Sequence, residues 1–269
     1  MSGHSKWSTI KRAKGITDIK RSATFTKIAN VVTIAVKLGG SGDPDSNPRL
    51  RMAIDEARSV NMPKENIQRA IDRGLGKGEG NTLEEVLYEG FGPGAVAIIV
   101  EGVTDNKMRT TSAVKNIFEK GGGSMAGVGA VSYMFERVGV INVKSQMSNV
   151  KSKEDEMLEL IDLGAEDVEE FLEPFDGVYT ERSERAQGKD IQKYLVYTEA
   201  TTVAEVGNKI TQAGFAVESQ SLVYKPTVLV EIKDKESVQK VLDFIERLEE
   251  LDDVQKVYVN FDIEEQMIS

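Results

Sequence analysis

The sequence predicts an α+β fold: an N-terminal three-helix domain followed by two α/β-sandwich domains, of which the last is ferredoxin-like and is inserted into the middle one. Apolar residues recur at three- and four-residue spacing within residues 1–80, which is typical of amphipathic helices. Segments typical of strands and of helices alternate after residue 81. Two successive βαβ patterns occupy residues 137–225, which is the arrangement of a ferredoxin-like sandwich.

The first 80 residues contain the start and stop signals of three helices. A helical pattern begins near Asp18 and ends at the glycines of the stretch LGGSGDPDSNP. Asn47 and Pro48 supply an N-cap and a proline at the first position of the second helix. Pro63 begins a third helix, which ends at Gly74. The side chains expected to be buried are Phe25, Ile28, Ala29, Val32, Ala35, Val36, Leu50, Ala53, Ile54, Ala57, Ile67, Ala70 and Ile71.

The next segment is predicted to form an open set of strands around one helix. Its elements are strands at 83–90 and 95–103, joined by the turn FGPG, a helix at 107–120 and a strand at 130–136. After Pro226 the sequence predicts a strand at 227–232, a helix at 234–249 and a strand at 254–261. Because this last set has too few elements to cover its own apolar faces, we expect it to dock on the open set.

The segment between these two sets supplies the predicted ferredoxin-like unit. Its elements are a strand at 138–143, a helix at 154–163, a strand at 166–172, a strand near 176–181 or at 192–199, a helix at 202–213 and a strand at 215–223. Three domains follow: a basic helical domain at 1–80, a discontinuous α+β domain at 81–136 plus 226–269, and an acidic ferredoxin-like domain inserted at 137–225. A linear order of three domains is the alternative.

Charge is unevenly distributed along the chain. Residues 1–80 carry 15 Lys and Arg against 8 Asp and Glu, whereas the remainder carries 19 against 36, within a formal net charge of -10. Such segregation suggests that the first domain meets a polyanion while the rest keeps the protein in solution. The alternative is a helical domain whose basic side chains are merely solvated, and charge alone leaves both interpretations open.

The residues that most enzymes and cofactor sites need are scarce. The chain has no cysteine and one histidine, His4, which lies in a segment without the periodicity that would orient a catalytic group. The stretch GGSGDP lacks the Gly-Lys-Ser/Thr ending of a phosphate loop, and GGGSMA follows a helix instead of a strand. The acidic residues at 166–170 lie on both faces of a predicted strand. We therefore expect no enzyme, no cofactor and no metal.

The sequence also bears on location and membrane contact. No apolar run approaches the roughly 18 residues of a membrane span, and no apolar segment or cleavage site of a secretory signal follows the basic start. A transit peptide is the alternative, although the helical pattern continues directly from this segment. We therefore expect a cytoplasmic protein with no membrane partner.

The opening, MSGHSKWSTIKRAKGITDIKR, combines six Lys and Arg with one acid and the only tryptophan, Trp7. Lysine and arginine bind phosphates with little sequence information, and such binding weakens steeply with salt. An aromatic ring among them can stack on an unpaired base. The alternative for Trp7 is a structural contact that folds this segment against the helices.

Six stretches together resemble the YebC family: GHSKW, NPRLRMAIDEAR, NMPKENIQRAIDRG, YEGFGPGAVAIIVE, TDNKMRT and FERVGVI. They are spread over residues 3–141, and the resemblance covers essentially the whole chain. It implies an N-terminal helical domain followed by two α+β domains, as the pattern predicts. Bacterial members are described as probable transcriptional regulatory proteins, a mitochondrial branch acts as a translational activator, and a role at the ribosome is also attributed to the family.

The resemblance also implies where nucleic acid is bound. It places contacts on the basic opening, at His4, Lys6, Trp7, Lys11, Arg12 and Lys14. The charge and helix-face argument alone adds Lys20, Arg21 and Lys27, because Lys20 and Lys27 lie seven positions apart on one side of the first helix.

The resulting prediction is a non-enzymatic, monomeric, nucleic-acid-binding regulator of gene expression, with DNA-binding transcriptional regulation as the leading interpretation. RNA or ribosome binding in translation is the alternative, because no helix begins with the base-reading residues of a helix-turn-helix protein. A protein-binding adaptor that uses the acidic sheets is a lesser alternative.

Overall fold

The structure is a computed structural model that describes residues 18–77, 82–145, 152–173 and 191–262. The described chain falls into two compact units. The first contains the described residues of Ile16–Glu136 and Tyr224–Ser269, and the second contains those of Arg137–Val223. Helices and mainly antiparallel sheets make up both, which confirms the predicted α+β class. The domain boundaries given above stay a prediction.

The elements follow one another in this order. They are α1 Asp18–Gly39, α2 Pro48–Ser59, α3 Lys64–Gly74, β1 Glu84–Phe91, β2 Ala97–Thr104, α4 Lys107–Lys120, β3 Ser124–Ala126, β4 Phe135–Lys144, α5 Lys153–Asp162, β5 Asp167–Glu173, β6 Ile191–Glu199, α6 Val203–Gln212, β7 Ala216–Pro226, β8 Val230–Glu231, α7 Lys235–Glu249, β9 Val254–Val259 and β10 Phe261–Asp262. Short 3-10 turns lie at Pro93–Ala95 and Ser132–Met134.

The three N-terminal helices pack around the predicted apolar stripes. Asn47 caps α2: its side-chain oxygen accepts from the backbone N–H of Leu50 at 3.1 Å, and its amide donates to the carbonyl of Ala35 at 3.0 Å. The cap therefore also joins α2 to α1. The buried residues of this core are Ile28, Val32, Ala35, Val36, Leu50, Ala53, Ile54, Ala57, Met62, Ile67, Ala70 and Ile71.

Replacing Gly74 by alanine is expected to lower the free energy of unfolding by about 1–3 kcal/mol. Gly74 ends α3, where an added Cβ would lie 2.6 Å from the Cβ of Val36 and 2.7 Å from the carbonyl oxygen of Thr33. Contacts this short would push α3 away from α1. Urea unfolding measures the change, and Gly127→Ala is the matched control because its added Cβ would meet no atom within 4 Å. Equal unfolding midpoints for the two variants would contradict this packing.

The sheet of the first unit has the strand order β3-β1-β2-β9, and all its pairs are antiparallel. One face is covered by α4 and α7, where the rings of Phe118 and Phe244 meet edge to face with centroids 5.2 Å apart. On the opposite face, Ala97 and Ile99 pack against Val131 and Phe135. The two faces follow from the alternation of side chains along β2.

The helical domain is fastened to this sheet within the first unit. Ile34 of α1 packs with Leu83 and Val103. The Lys37 amino group donates to the carbonyl of Leu83 at 2.9 Å. Two ion pairs add to the contact, Arg49 with Glu85 and Lys256 with Glu56.

The second unit has the strand order β5-β6-β4-β7, with β6 antiparallel to both of its neighbours. In chain order along the unit this is 2-3-1-4, the order of a ferredoxin-like sheet, as predicted. A polar group is buried inside it: the carboxylate of Glu156 accepts from Ser145 Oγ and from the Tyr194 hydroxyl, each at 2.7 Å. Glu156 is 3% exposed, so these bonds compensate its burial.

Several predicted strands differ from the structure. The strand predicted at 130–136 is wrong, because residues 132–134 form a 3-10 turn. The strand predicted at 138–143 is confirmed, as part of a longer strand over Phe135–Lys144. The short β3 was not predicted. The strand predicted at 254–261 is interrupted at Asn260, whose side-chain oxygen accepts from the backbone N–H of Ala97 at 2.7 Å. The alternative strand near 176–181 lies outside the described residues, whereas β6 is present.

Candidate nucleic-acid interface

The described residues contain few of the predicted contacts. His4, Lys6, Trp7, Lys11, Arg12 and Lys14 lie outside the described part of the chain. Lys20 and Arg21 belong to the first turn of α1, and their side chains also lie outside it. Only Lys27 has a described side chain, and a nucleic-acid contact by any of the nine stays a prediction.

The Lys27 side chain reaches from α1 to the end of α7. Its amino group donates a hydrogen bond to the backbone carbonyl of Glu249, the last residue of that helix. A helix C-terminus carries partial negative charge, so a cation is stabilised there. Lys27 therefore helps to hold the helical domain on the α+β part of the first unit.

Four described cations of the helical domain are paired with acids. The pairs are Arg49 with Glu85, Arg51 with Asp45 at 3.6 Å, Arg58 with Asp55 at 3.3 Å and Lys77 with Asp72 at 3.6 Å. Each carboxylate cancels much of the positive field of its partner. A pocket of about 280 Å³ between the loop before α2 and α2 itself is lined by two of these paired arginines, so it offers no uncompensated positive charge.

Two arginines on α3 differ from these. Arg69 donates to the side-chain oxygen of Asn66 and, at 3.3 Å, to the carbonyl of Glu65. Arg73 donates to the side-chain oxygen of Asn30 at 3.4 Å. Within the described residues, neither guanidinium has a carboxylate within the 4.0 Å of an ion pair. Amide partners orient a guanidinium but carry no negative charge, so no ion-pair partner offsets the positive field of either arginine.

The fold presents these two arginines together at the surface. Ile67, Ala70 and Ile71 are buried against α1, and this turns the opposite side of α3 outward. Arg69 and Arg73 are four residues apart, so they lie one above the other on that side, and both are exposed. We call the surface formed by Arg69, Arg73, Asn30 and Asn66 the arginine face.

The arginine face has the chemistry of a phosphate site. A guanidinium presents several N–H donors in one plane and can bind two phosphate oxygens at once. Sequence reasoning missed Arg69 and Arg73, although their four-residue spacing opposite the apolar stripe of α3 is visible in QRAIDRG. What the sequence does not show is which arginines have a carboxylate partner.

In the described ranges, no group of three or more His, Cys, Asp or Glu side chains is arranged to hold a metal ion. No helix in those ranges is long and apolar enough to cross a membrane.

Nearly the whole chain matches known protein families and individual relatives. The family model described as TACO1/YebC protein N-terminal domain matches residues 5–77, and the one described as TACO1/YebC second and third domain matches residues 83–261. A relative from Chloroflexus aurantiacus, named probable transcriptional regulatory protein, is 44% identical over 100% of this chain and 98% of its own. A relative of the same name from Aquifex aeolicus is 41% identical over 100% and 98%.

A solved structure also matches. The crystal structure of a conserved hypothetical protein from Aquifex aeolicus superposes with a TM-score of 0.77 at 39% sequence identity. The superposition covers 94% of each chain. The similarity therefore extends over the helical, sheet and ferredoxin-like parts alike.

Proposed function

The chain belongs to the TACO1/YebC family, and from this premise we propose that it is a non-enzymatic regulator that binds nucleic acid through its helical domain. The name of its relatives, probable transcriptional regulatory protein, supports the regulatory role. By the same analogy we expect it to act in the cytoplasm as a monomer, with promoter DNA as the leading target.

The observation that carries the proposal is the arginine face. Arg69 and Arg73 are exposed, adjacent and without a carboxylate partner in the described chain, whereas Arg51 and Arg58 nearby are ion-paired. Polyanion binding is the function that uses such a pair, because each guanidinium releases condensed counterions when it meets a phosphate. A protein-binding adaptor with merely solvated basic side chains would not require two adjacent arginines without carboxylate partners.

The basic opening extends the same proposal. Lys6, Lys11, Arg12 and Lys14 precede α1 in a family-like pattern, and α3 packs on α1. Phosphate contacts by these side chains would add affinity without reading sequence. Trp7 would add one stacking contact.

RNA in translation is the second candidate target. The arginine face offers guanidiniums to phosphates, and its two amides, on Asn30 and Asn66, already accept hydrogen bonds from the arginines. Such a surface recognises backbone and shape more readily than base edges in a major groove. A structured or single-stranded RNA meets these requirements as well as duplex DNA does, so RNA is the second target.

Salt dependence tests whether nucleic acid is bound at all. We expect the retention of labelled DNA or RNA to fall steeply as salt rises from about 50 to about 300 mM. Removal of residues 1–15 is expected to lower the affinity and to flatten this slope. Binding that shows no salt slope, together with no effect of the truncation, would favour the protein-binding adaptor.

Sedimentation separates the two nucleic-acid targets. Cell extract is fractionated on a gradient, and the protein is followed through the fractions. Migration with ribosomal subunits that nuclease treatment abolishes would support the RNA alternative. Migration at the top of the gradient, with salt-sensitive binding to duplex DNA, would support the leading interpretation.

A further inference from the structure

A loop of the first unit exposes an aromatic side chain. Residues 127–134 connect β3 to β4, and Tyr133 within them is 71% exposed. Val128 in the same loop is 89% exposed. Neither side chain contributes to the core, so both are accessible to a binding partner.

The loop is held in place by a buried carboxylate. Glu89 of β1 is 2% exposed, and its two oxygens accept from the backbone N–H groups of Gly129 at 2.8 Å, Val131 at 2.8 Å and Ser132 at 2.9 Å. Three charge-assisted hydrogen bonds to successive parts of one loop fix its path. Tyr133 is therefore displayed on a fixed support, which reduces the entropy lost when it binds a partner.

The loop lies on the same face of the sheet as the helical domain. Ile99 of β2 packs against Val131 in the loop, and Val103 of the same strand packs against Ile34 of α1. Residues four apart in a strand point to the same face, and they are separated by about 14 Å at about 3.4 Å per residue. The helical domain and the loop therefore cover neighbouring parts of the same face of the sheet.

The surface of the loop also suits a nucleic acid. Residues 121–135 contain no charged side chain, in a chain with 44 Asp and Glu. In the described part of the chain, the carboxylate that binds the loop is that of Glu89, which is buried and accepts from three N–H donors. A phosphate backbone would meet no exposed anion within residues 121–135, and the first exposed acid after them, Glu136, is followed directly by the exposed Arg137. Gly127 and Gly129 have nothing within 4 Å of an added Cβ, so the backbone is open to a flat ligand.

We propose that Tyr133 stacks on an unpaired base of the nucleic acid whose phosphates the helical domain binds. The inference rests on the proposed function and deepens it, because it requires single-stranded nucleotides at this point. An exposed aromatic side chain is the usual platform for such a base, and the positive charge that accompanies it would come from the helical domain.

Variants of Tyr133 test the inference in the full-length protein. Fluorescence anisotropy is measured with a mixed-sequence single-stranded RNA, the DNA of the same sequence, and the corresponding duplexes. Tyr133→Ala is expected to weaken single-strand binding about 5- to 150-fold and to leave duplex binding unchanged. Tyr133→Phe is expected to keep single-strand binding because it keeps the ring. Tyr133→Leu is expected to behave like alanine because it has no flat π-face.

Three results would overturn the inference. They are single-strand affinity unchanged in Tyr133→Ala, equal losses for single strands and duplexes, and full affinity in Tyr133→Leu, which would indicate an apolar protein partner. The RNA and DNA arms show which strand is preferred. If the wild-type protein binds no nucleic acid in any arm, the proposed function fails as well. If the wild-type protein binds and Tyr133→Ala binds with the same affinity, only the stacking contact is ruled out.

Discussion

Replacing Glu89 by glutamine is expected to lower the free energy of unfolding by about 2–4 kcal/mol. The carboxylate accepts three backbone hydrogen bonds at 2.8–2.9 Å, and it is 2% exposed. Glutamine has the same size but only one acceptor oxygen, and its NH₂ group would face N–H donors. At least one buried N–H would then lose its partner, and the remaining bonds would lose the assistance of the charge.

Urea unfolding of the purified variant measures this loss. Glu84→Gln is the matched control, since Glu84 is an exposed glutamate on the same strand and is expected to change stability by less than about 0.5 kcal/mol. Proteolysis should cut within residues 127–134 sooner in Glu89→Gln than in the wild type. If both glutamine variants unfold at the same urea concentration, Glu89 does not hold the loop.

The same carboxylate predicts how stability depends on pH. Burial alone would raise the pKa of Glu89, but the hydrogen bonds from Gly129, Val131 and Ser132 together outweigh it, and the pKa lies below the ordinary 4.5. A lowered folded-state pKa stabilises the protein fully above the unfolded pKa, and this stabilisation is lost as pH falls through the folded pKa. The difference between wild type and Glu89→Gln should therefore be constant from pH 6 to 8 and shrink below about pH 4.

Local features of this fold could be predicted from the sequence. The stripe from Ile28 to Val36 and the Asn47 cap depend on residues a few positions apart, and both are present as expected. The ferredoxin-like order follows from two βαβ units, because short connections leave few alternative arrangements. These predictions need no knowledge of distant contacts.

Features that depend on distant partners could not be predicted. Residues 130–136 have the alternation of a strand. However, the N–H groups of Val131 and Ser132 donate to the carboxylate of Glu89, which precedes them by more than 40 positions, so they are not available to pair with another strand. Asn260 interrupts a predicted strand because its side chain binds Ala97, 163 positions away.

The candidate site has the same limitation. Charge counting identified the helical domain as the basic part of the chain, but it gives every arginine equal weight. Arg49 is paired with Glu85, 36 positions away in another element, whereas Arg69 and Arg73 are left with amides. The positive surface is therefore formed by the arginines that have no carboxylate partner, and only the folded structure shows which arginines these are.

Replacing both Arg69 and Arg73 by glutamine is expected to weaken nucleic-acid binding on the order of 30-fold at 0.15 M salt. Two phosphate contacts contribute about 1.8 units to the slope of log affinity against log salt for duplex DNA and about 1.4 units for single strands. The variant should therefore show a shallower slope by about these amounts. Because both side chains are exposed and lack ion pairs in the described chain, stability should change little.

The matched control removes two positive charges from the same domain at paired positions. Arg58→Gln with Lys77→Gln changes the net charge equally, but Arg58 and Lys77 are already ion-paired with Asp55 and Asp72. A general electrostatic attraction to the domain would make both double variants equally weak. A phosphate site on α3 requires that only the Arg69 and Arg73 variant loses about 1.8 units of salt slope on duplex DNA or about 1.4 units on single strands. Equal slopes for the two double variants would contradict the arginine face as the point of contact.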